Sequence, residues 1–122
     1  MVYFNVLLLT IFVSSSLFAQ QHDNIWFVGH DYMTDSSAII NFNSPTPTIT
    51  PFKRNMGMHR SSTSVCDSFG NLQFYTNGIF IHNAQHQIMQ NGDSLNPGTY
   101  ANNNREYGYV VPEGTIIIPH PK

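Results

Sequence analysis

The stretch from Asp67 to Gly78 constrains this chain more than any other, because it places two reversals either side of one short strand. Asp67-Ser68-Phe69-Gly70-Asn71 reads as a tight turn, with the Asp side chain capping it and Gly70 supplying a positive φ that other residues resist. Leu72-Gln73-Phe74-Tyr75-Thr76 follows, with Leu72, Phe74 and Thr76 on one face. Asn77-Gly78 is the strongest two-residue hairpin signal, which requires φ > 0 at both positions. Ile79 to Asn83 then returns as the partner strand, and Ile88-Met89 opens another before Asn91-Gly92. Strand and turn alternating at this spacing predict an antiparallel meander.

The remaining chain carries the same punctuation. Asn24 to Val28 is an apolar strand ended by Gly29, Ala38 to Phe42 is a second, and Val65-Cys66 ends a third. Thr46 to Phe52 has β-branched residues, but three prolines between 45 and 51 restrict it to an edge strand or an extended loop. Met56 to Ser62 reads as a loop, as does the polar run through Asn96-Pro97-Gly98 and Asn102-Asn103-Asn104. No segment holds helical periodicity over about ten residues. The expected class is all-β, built from antiparallel meanders. Charge agrees, since charged residues make up only 10% of the 122 and the net charge is −2. Five scattered Lys and Arg do not make a phosphate-neutralising surface, so nucleic acid is not an expected partner.

At the front, Val6 to Val13 is an apolar run followed by Ser14-Ser15-Ser16-Leu17-Phe18-Ala19. This is the pattern of a secretory signal peptide over 1–19, with cleavage after Ala19. The run is short of the roughly 20 apolar residues that span a bilayer, so no membrane span is expected after cleavage. No Cys follows it to carry a lipid anchor. The single Cys66 excludes a disulfide framework within the chain and reads as a small buried hydrophobe.

A faint repeat underlies the strands. Asn24, Asn71 and Thr115 each open an apolar-x-apolar strand start, at offsets of 47 and 44 residues. A propeller blade occupies roughly 40 to 50 residues. On that spacing residues 20–122 form a partial β-propeller of about two blades. Gly114 to Ile118 reads as an apolar strand wanting a neighbour, and the expectation is a fragment incomplete at its C-terminus.

The Asn24-to-Gly29 strand, the Cys66-to-Gly78 block, and Asn83, Gln87-Ile88-Met89 and Asn91-Gly92 together resemble the amino-terminal region of large secreted bacterial proteins. Those proteins carry a type IX secretion (gliding-motility-associated) C-terminal sorting domain. Ile117-Ile118-Pro119-His120-Pro121 is similar to a later strand of the same family, in a shifted form. More loosely, the Asp67-to-Leu72 turn is similar to that of sensor-type propeller repeats. The resemblance implies a propeller-like domain, surface or extracellular location, and the type IX machinery as a partner if a sorting domain follows. It implies no catalytic residues.

Candidate sites were sought in the residues themselves. His82 and His86 are four apart, but they straddle a strand-to-turn junction and lack helical zinc spacing, so they read as surface or turn histidines. His30, Asp31 and Asp35 are too sparse for a calcium loop. Ser61-Ser62-Thr63-Ser64 offers hydroxyls without a nucleophile elbow. Trp26, Tyr32, Tyr75, Tyr100, Tyr107 and Tyr109 could stack on sugars or peptides, but aromatics in sheets pack the sheet. No catalytic, cofactor-binding or metal-ligating set is assigned, and no cofactor is expected. The expected function is an exported, non-enzymatic, propeller-like module serving adhesion or the binding of an extracellular glycan or protein. Two alternatives remain: part of a secreted hydrolase or lyase with its site completed by further blades, and a small β-protein acting alone.

Overall fold

The computed structural model describes residues 20–29, 37–53, 56–111 and 114–118. The proposed signal segment, residues 1–19, lies outside them, as do His30, Asp31, Tyr32, Asp35 and His120.

Among the described residues, two antiparallel sheets of three strands form. In the first, β1 (Ile25–Gly29), β2 (Ser37–Asn41) and β3 (Thr48–Pro51) lie in chain order. Ile25 pairs with Asn41 and Phe27 with Ile39, and Ala38 pairs with Pro51 across the next ladder. β3 is the edge strand that its prolines demanded, exposed along its whole length. In the second sheet, β4 (Thr63–Cys66), β5 (Leu72–Thr76) and β6 (Ile81–Asn83) form the expected meander. Thr63 pairs with Thr76, Val65 with Phe74, and Tyr75 with His82.

The Asp67 turn forms as its residues dictate. Asp67 accepts from the backbone N–H groups of Phe69 and Asn71, and Gly70 takes φ +80°. The next hairpin departs from the expectation. Thr76 pairs with Ile81, so a four-residue loop, Asn77 to Phe80, replaces the two-residue Asn-Gly turn. Only Gly78 adopts a positive φ, at +83°. Asn77 is used differently: its side-chain oxygen accepts from the N–H groups of Ile79 and Phe80, and its amide donates to the Gly57 carbonyl at 2.9 Å. Its own carbonyl accepts from Tyr109, so a fully buried Asn ties three segments together through its amide group and its carbonyl.

Three further expectations change. Ile88-Met89 opens no strand; a single bridge joins Ile88 to His82, and Met89 donates to the Ile81 carbonyl. Gly114 to Ile118 forms no strand, and Thr63 Oγ1 donates to the Thr115 carbonyl at 2.9 Å. The Asn-rich run, read as a loop, contains a five-residue helix, α1 (Thr99–Asn103), whose Ala101 is buried. All-β holds for the architecture, with this short helix added.

The core lies between the sheets. Phe27, Met56, Met58 and Tyr75 are buried together, flanked by Ile25, Ile39, Leu72 and Phe80. Phe27 and Tyr75 stack at 4.2 Å between ring centroids. Met56 and Met58 fall in the segment read as loop, and that segment does lack regular structure. Its flexible thioether side chains nonetheless fill the space between two sheets that were not cut to fit each other.

Side-chain hydroxyls complete the seam. Asn24 accepts from Phe42 across the β1–β2 boundary, so in the alternation of an extended strand the carbonyls of Ile25 and Phe27 face away from β2. Ser64 Oγ donates to the Ile25 carbonyl and Ser62 Oγ to that of Phe27, while the Cys66 N–H donates to His22. Ser62 and Ser64 therefore satisfy outward-facing carbonyls of β1, and Cys66 continues the alternation onto His22, just before that strand.

Candidate functional site

Concave regions lie on both faces of the second sheet. Val65 and Phe74 are directly paired and share a face of β4 and β5. The extended segment 114–118 is anchored nearby through Thr63 and Thr115, whose hydroxyls also meet at 2.8 Å. Between them runs a groove of about 760 Å³, walled by Val65, Phe74, Met89 and Ile116 to Ile118. Ile116 and Ile118 are 80% and 76% exposed. Branched apolar side chains held this far into water are the unusual feature of this surface.

On the other face, a cavity of about 360 Å³ is lined by Phe52, Lys53, Tyr75, Phe80, His82, His86 and Ile88. Tyr75 is wholly buried, and its hydroxyl lies 3.2 Å from His82 Nδ1 and 3.2 Å from His86 Nδ1. His86 also packs on Phe52, with ring centroids 4.4 Å apart.

The histidines correct the sequence reading. His86 does sit in an exposed turn, but His82 is 7% exposed and is no surface residue. Helical spacing was the wrong criterion: cross-strand register brings His82 opposite Tyr75, and the following turn folds His86 back onto the same hydroxyl. The signal available in sequence was Tyr75 and His82 on facing strands, legible only once the loop length between them is known.

The Ser61–Ser64 hydroxyls are engaged in structure. They donate to the carbonyls of Val111, Phe27, Thr115 and Ile25 in turn, which leaves none poised as a nucleophile. Cys66 is buried, as expected, and is a free thiol. Burial pushes its pKa up, more than hydrogen bonds from the Ile25 and Asn24 backbone lower it, so it stays a protonated and weak nucleophile. Among the aromatics, Tyr75 is core, whereas Trp26, Tyr100 and Tyr107 are about half exposed. Trp26 is nevertheless held in place, its ring 5.1 Å from Phe42 and its Nε1 donating to the Asp23 carbonyl. Tyr109 packs edge-on to Tyr100 at 5.3 Å.

Among the described residues no three His, Cys, Asp or Glu side chains converge as metal ligands. Nor is any helix there long and apolar enough to cross a membrane. The perturbed carboxylate is Asp67, held below the usual range chiefly by the Asn71 side-chain amide and then by the backbone N–H groups of Asn71 and Phe69. Comparison with protein-family models, curated proteins and solved structures finds no match to this chain.

Proposed function

We propose that the chain is an exported, non-enzymatic binding module of a secreted or cell-surface protein, with its two sheets as blade-like units of a propeller-like domain. The observation that carries the binding role is the groove beside β4 and β5, with Ile116 and Ile118 held out into solvent. Burying apolar surface is worth roughly 25 cal/mol per Å², so such a groove favours a partner that covers it. Its apolar wall is Val65, Met89 and Ile116 to Ile118 with Phe74, and His22, Asp23 and Gln73 add polar groups to the lining, which fits an extended apolar stretch of another protein better than a glycan, whose recognition leans on aromatic platforms. The engagement of the Ser61–Ser64 hydroxyls by backbone carbonyls supports a non-catalytic role. The blade reading draws on the 47-residue offset between Asn24 and Asn71 and on the seating of one three-stranded sheet against the other.

The test has two arms. In bacterial fractionation, the protein is expected outside the cytoplasm with Gln20 as its first residue; retention of an uncut chain in the cytoplasm overturns the export reading. Against an array of extended peptides and glycans, apolar peptides are expected to bind and a double variant, Ile116→Glu with Ile118→Glu, to lose that binding while unfolding normally. Turnover in a glycan or peptide hydrolysis screen would instead establish the hydrolase or lyase reading.

A further inference from the structure

The groove leaves the other concave region unexplained. We propose that Tyr75 Oη, His82 Nδ1 and His86 Nδ1 form a binding site for a divalent late transition-metal ion of the zinc class.

Two features of the fold deliver these atoms to one place. The β5–β6 register sets Tyr75 directly opposite His82, so both side chains leave the same face of the sheet. The chain then reverses at Asn83, whose side-chain oxygen accepts from Gln85 and Gln87 N–H groups, while His86 N–H donates to the Asn83 carbonyl. This is the bonding pattern of the Asp67 turn, residue for residue, with His86 standing where Gly70 stands. Gly70 has φ +80° and His86 φ +63°. Left-handed backbone is strained for a residue with a Cβ, and glycine avoids that strain. A histidine held there, with its ring nitrogen on a buried phenol, is strain placed at a chemical group.

The distances fit an ion. Both nitrogen atoms lie 3.2 Å from the phenol oxygen. Tetrahedral coordination with bonds of about 2.0–2.1 Å separates neighbouring donors by about 3.3 Å. The phenol can donate its one proton to one imidazole and accept Nδ1–H from the other, so the three groups are already drawn together by hydrogen bonds that an ion would replace by taking a lone pair from each. Two imidazoles and a phenolate select a zinc- or copper-like ion over magnesium or calcium, which take oxygen shells. Binding a divalent ion displaces the phenolic proton to solvent, and the imidazole carrying a proton on Nδ1 moves it to Nε2. Two neutral imidazoles and one phenolate leave the ion with net positive charge, and the cavity that Lys53 also lines leaves room for water or an anion as a fourth ligand.

Calorimetric titration of the full chain with zinc at neutral pH tests this, with magnesium in parallel. The expected result is one ion per chain at micromolar affinity or tighter, a tyrosinate difference signal in the near ultraviolet, and no response to magnesium. Tyr75→Phe and His86→Gly are each expected to weaken zinc binding by at least about tenfold. His86→Gly restores the residue that the turn prefers, so it keeps the test valid if Tyr75→Phe fails to fold. Absence of zinc binding by the parent overturns the proposal, as does unchanged affinity in a folded His86→Gly variant.

Discussion

The turns at Asp67–Asn71 and Asn83–Gln87 share one backbone and differ in what occupies the left-handed position. At Gly70 a Cβ would meet Asn43 Oδ1 at 2.0 Å, and Asn43 donates to the Gly70 carbonyl at 2.9 Å. Asn24 in turn donates to Asn43, so the first turn is clamped onto the first sheet and must be glycine for space as well as for φ. At the second turn the left-handed residue instead carries an imidazole that packs on Phe52 and reaches the Tyr75 hydroxyl. One geometry therefore serves packing in one place and the delivery of a ring nitrogen in the other.

Exchanging the residues should break this symmetry. Gly70→His introduces both strain and overlap with Asn43, and a loss of about 2–3 kcal/mol in denaturant unfolding is expected. A loss under about 1 kcal/mol would show that Asn43 yields and that the clamp is weak. Asn83→Ala removes the acceptor for two backbone N–H groups and should cost about 1 kcal/mol, with zinc affinity falling as His86 loses its placement. His86→Gly relieves strain of about 1 kcal/mol but gives up the contact with Phe52, worth a similar amount. Its stability without metal should stay within about 0.5 kcal/mol of the parent, in contrast to the reciprocal change at Gly70.

The smallest effect distinguishes the turns by acid. Hydrogen bonding depresses the Asp67 pKa from its ordinary 3.8 in the folded state. Its stabilisation is therefore fully present above that ordinary value and is lost as the pH falls through the depressed one. Asn83, which does the same work in the second turn, does not titrate. Melting temperature measured from neutral pH downward should fall more steeply below pH 4 in the parent than in Asp67→Asn. Equal slopes would place the acid sensitivity elsewhere.

Local chemistry explains how much was legible. The Asp67 turn, β1, β2 and the restriction of β3 to an edge were readable because turn residues, proline and apolar runs act over a few neighbouring positions. The Asn77-Gly78 hairpin was misread because Asn77 found better partners in its own loop and in Gly57, 20 residues away. Ile88-Met89 and Gly114–Ile118 have strand-like composition, but composition does not supply a neighbour, and among the described residues neither gains a ladder. The meeting of His82 and His86 is non-local for a related reason: their spacing to each other does not encode it, because the atom that unites them belongs to Tyr75.

By itself, then, the sequence determined an antiparallel β chain of low charge, where it turns, and which residue takes a left-handed φ at Gly70, since these follow from side-chain volume and backbone sterics within a few residues. Tertiary structure decided the rest. Serine hydroxyls became the seam between sheets, two loop methionines became core, and a phenol met two imidazoles. Each of these depends on the register and separation of elements far apart in the chain, and no local propensity encodes a distance between them.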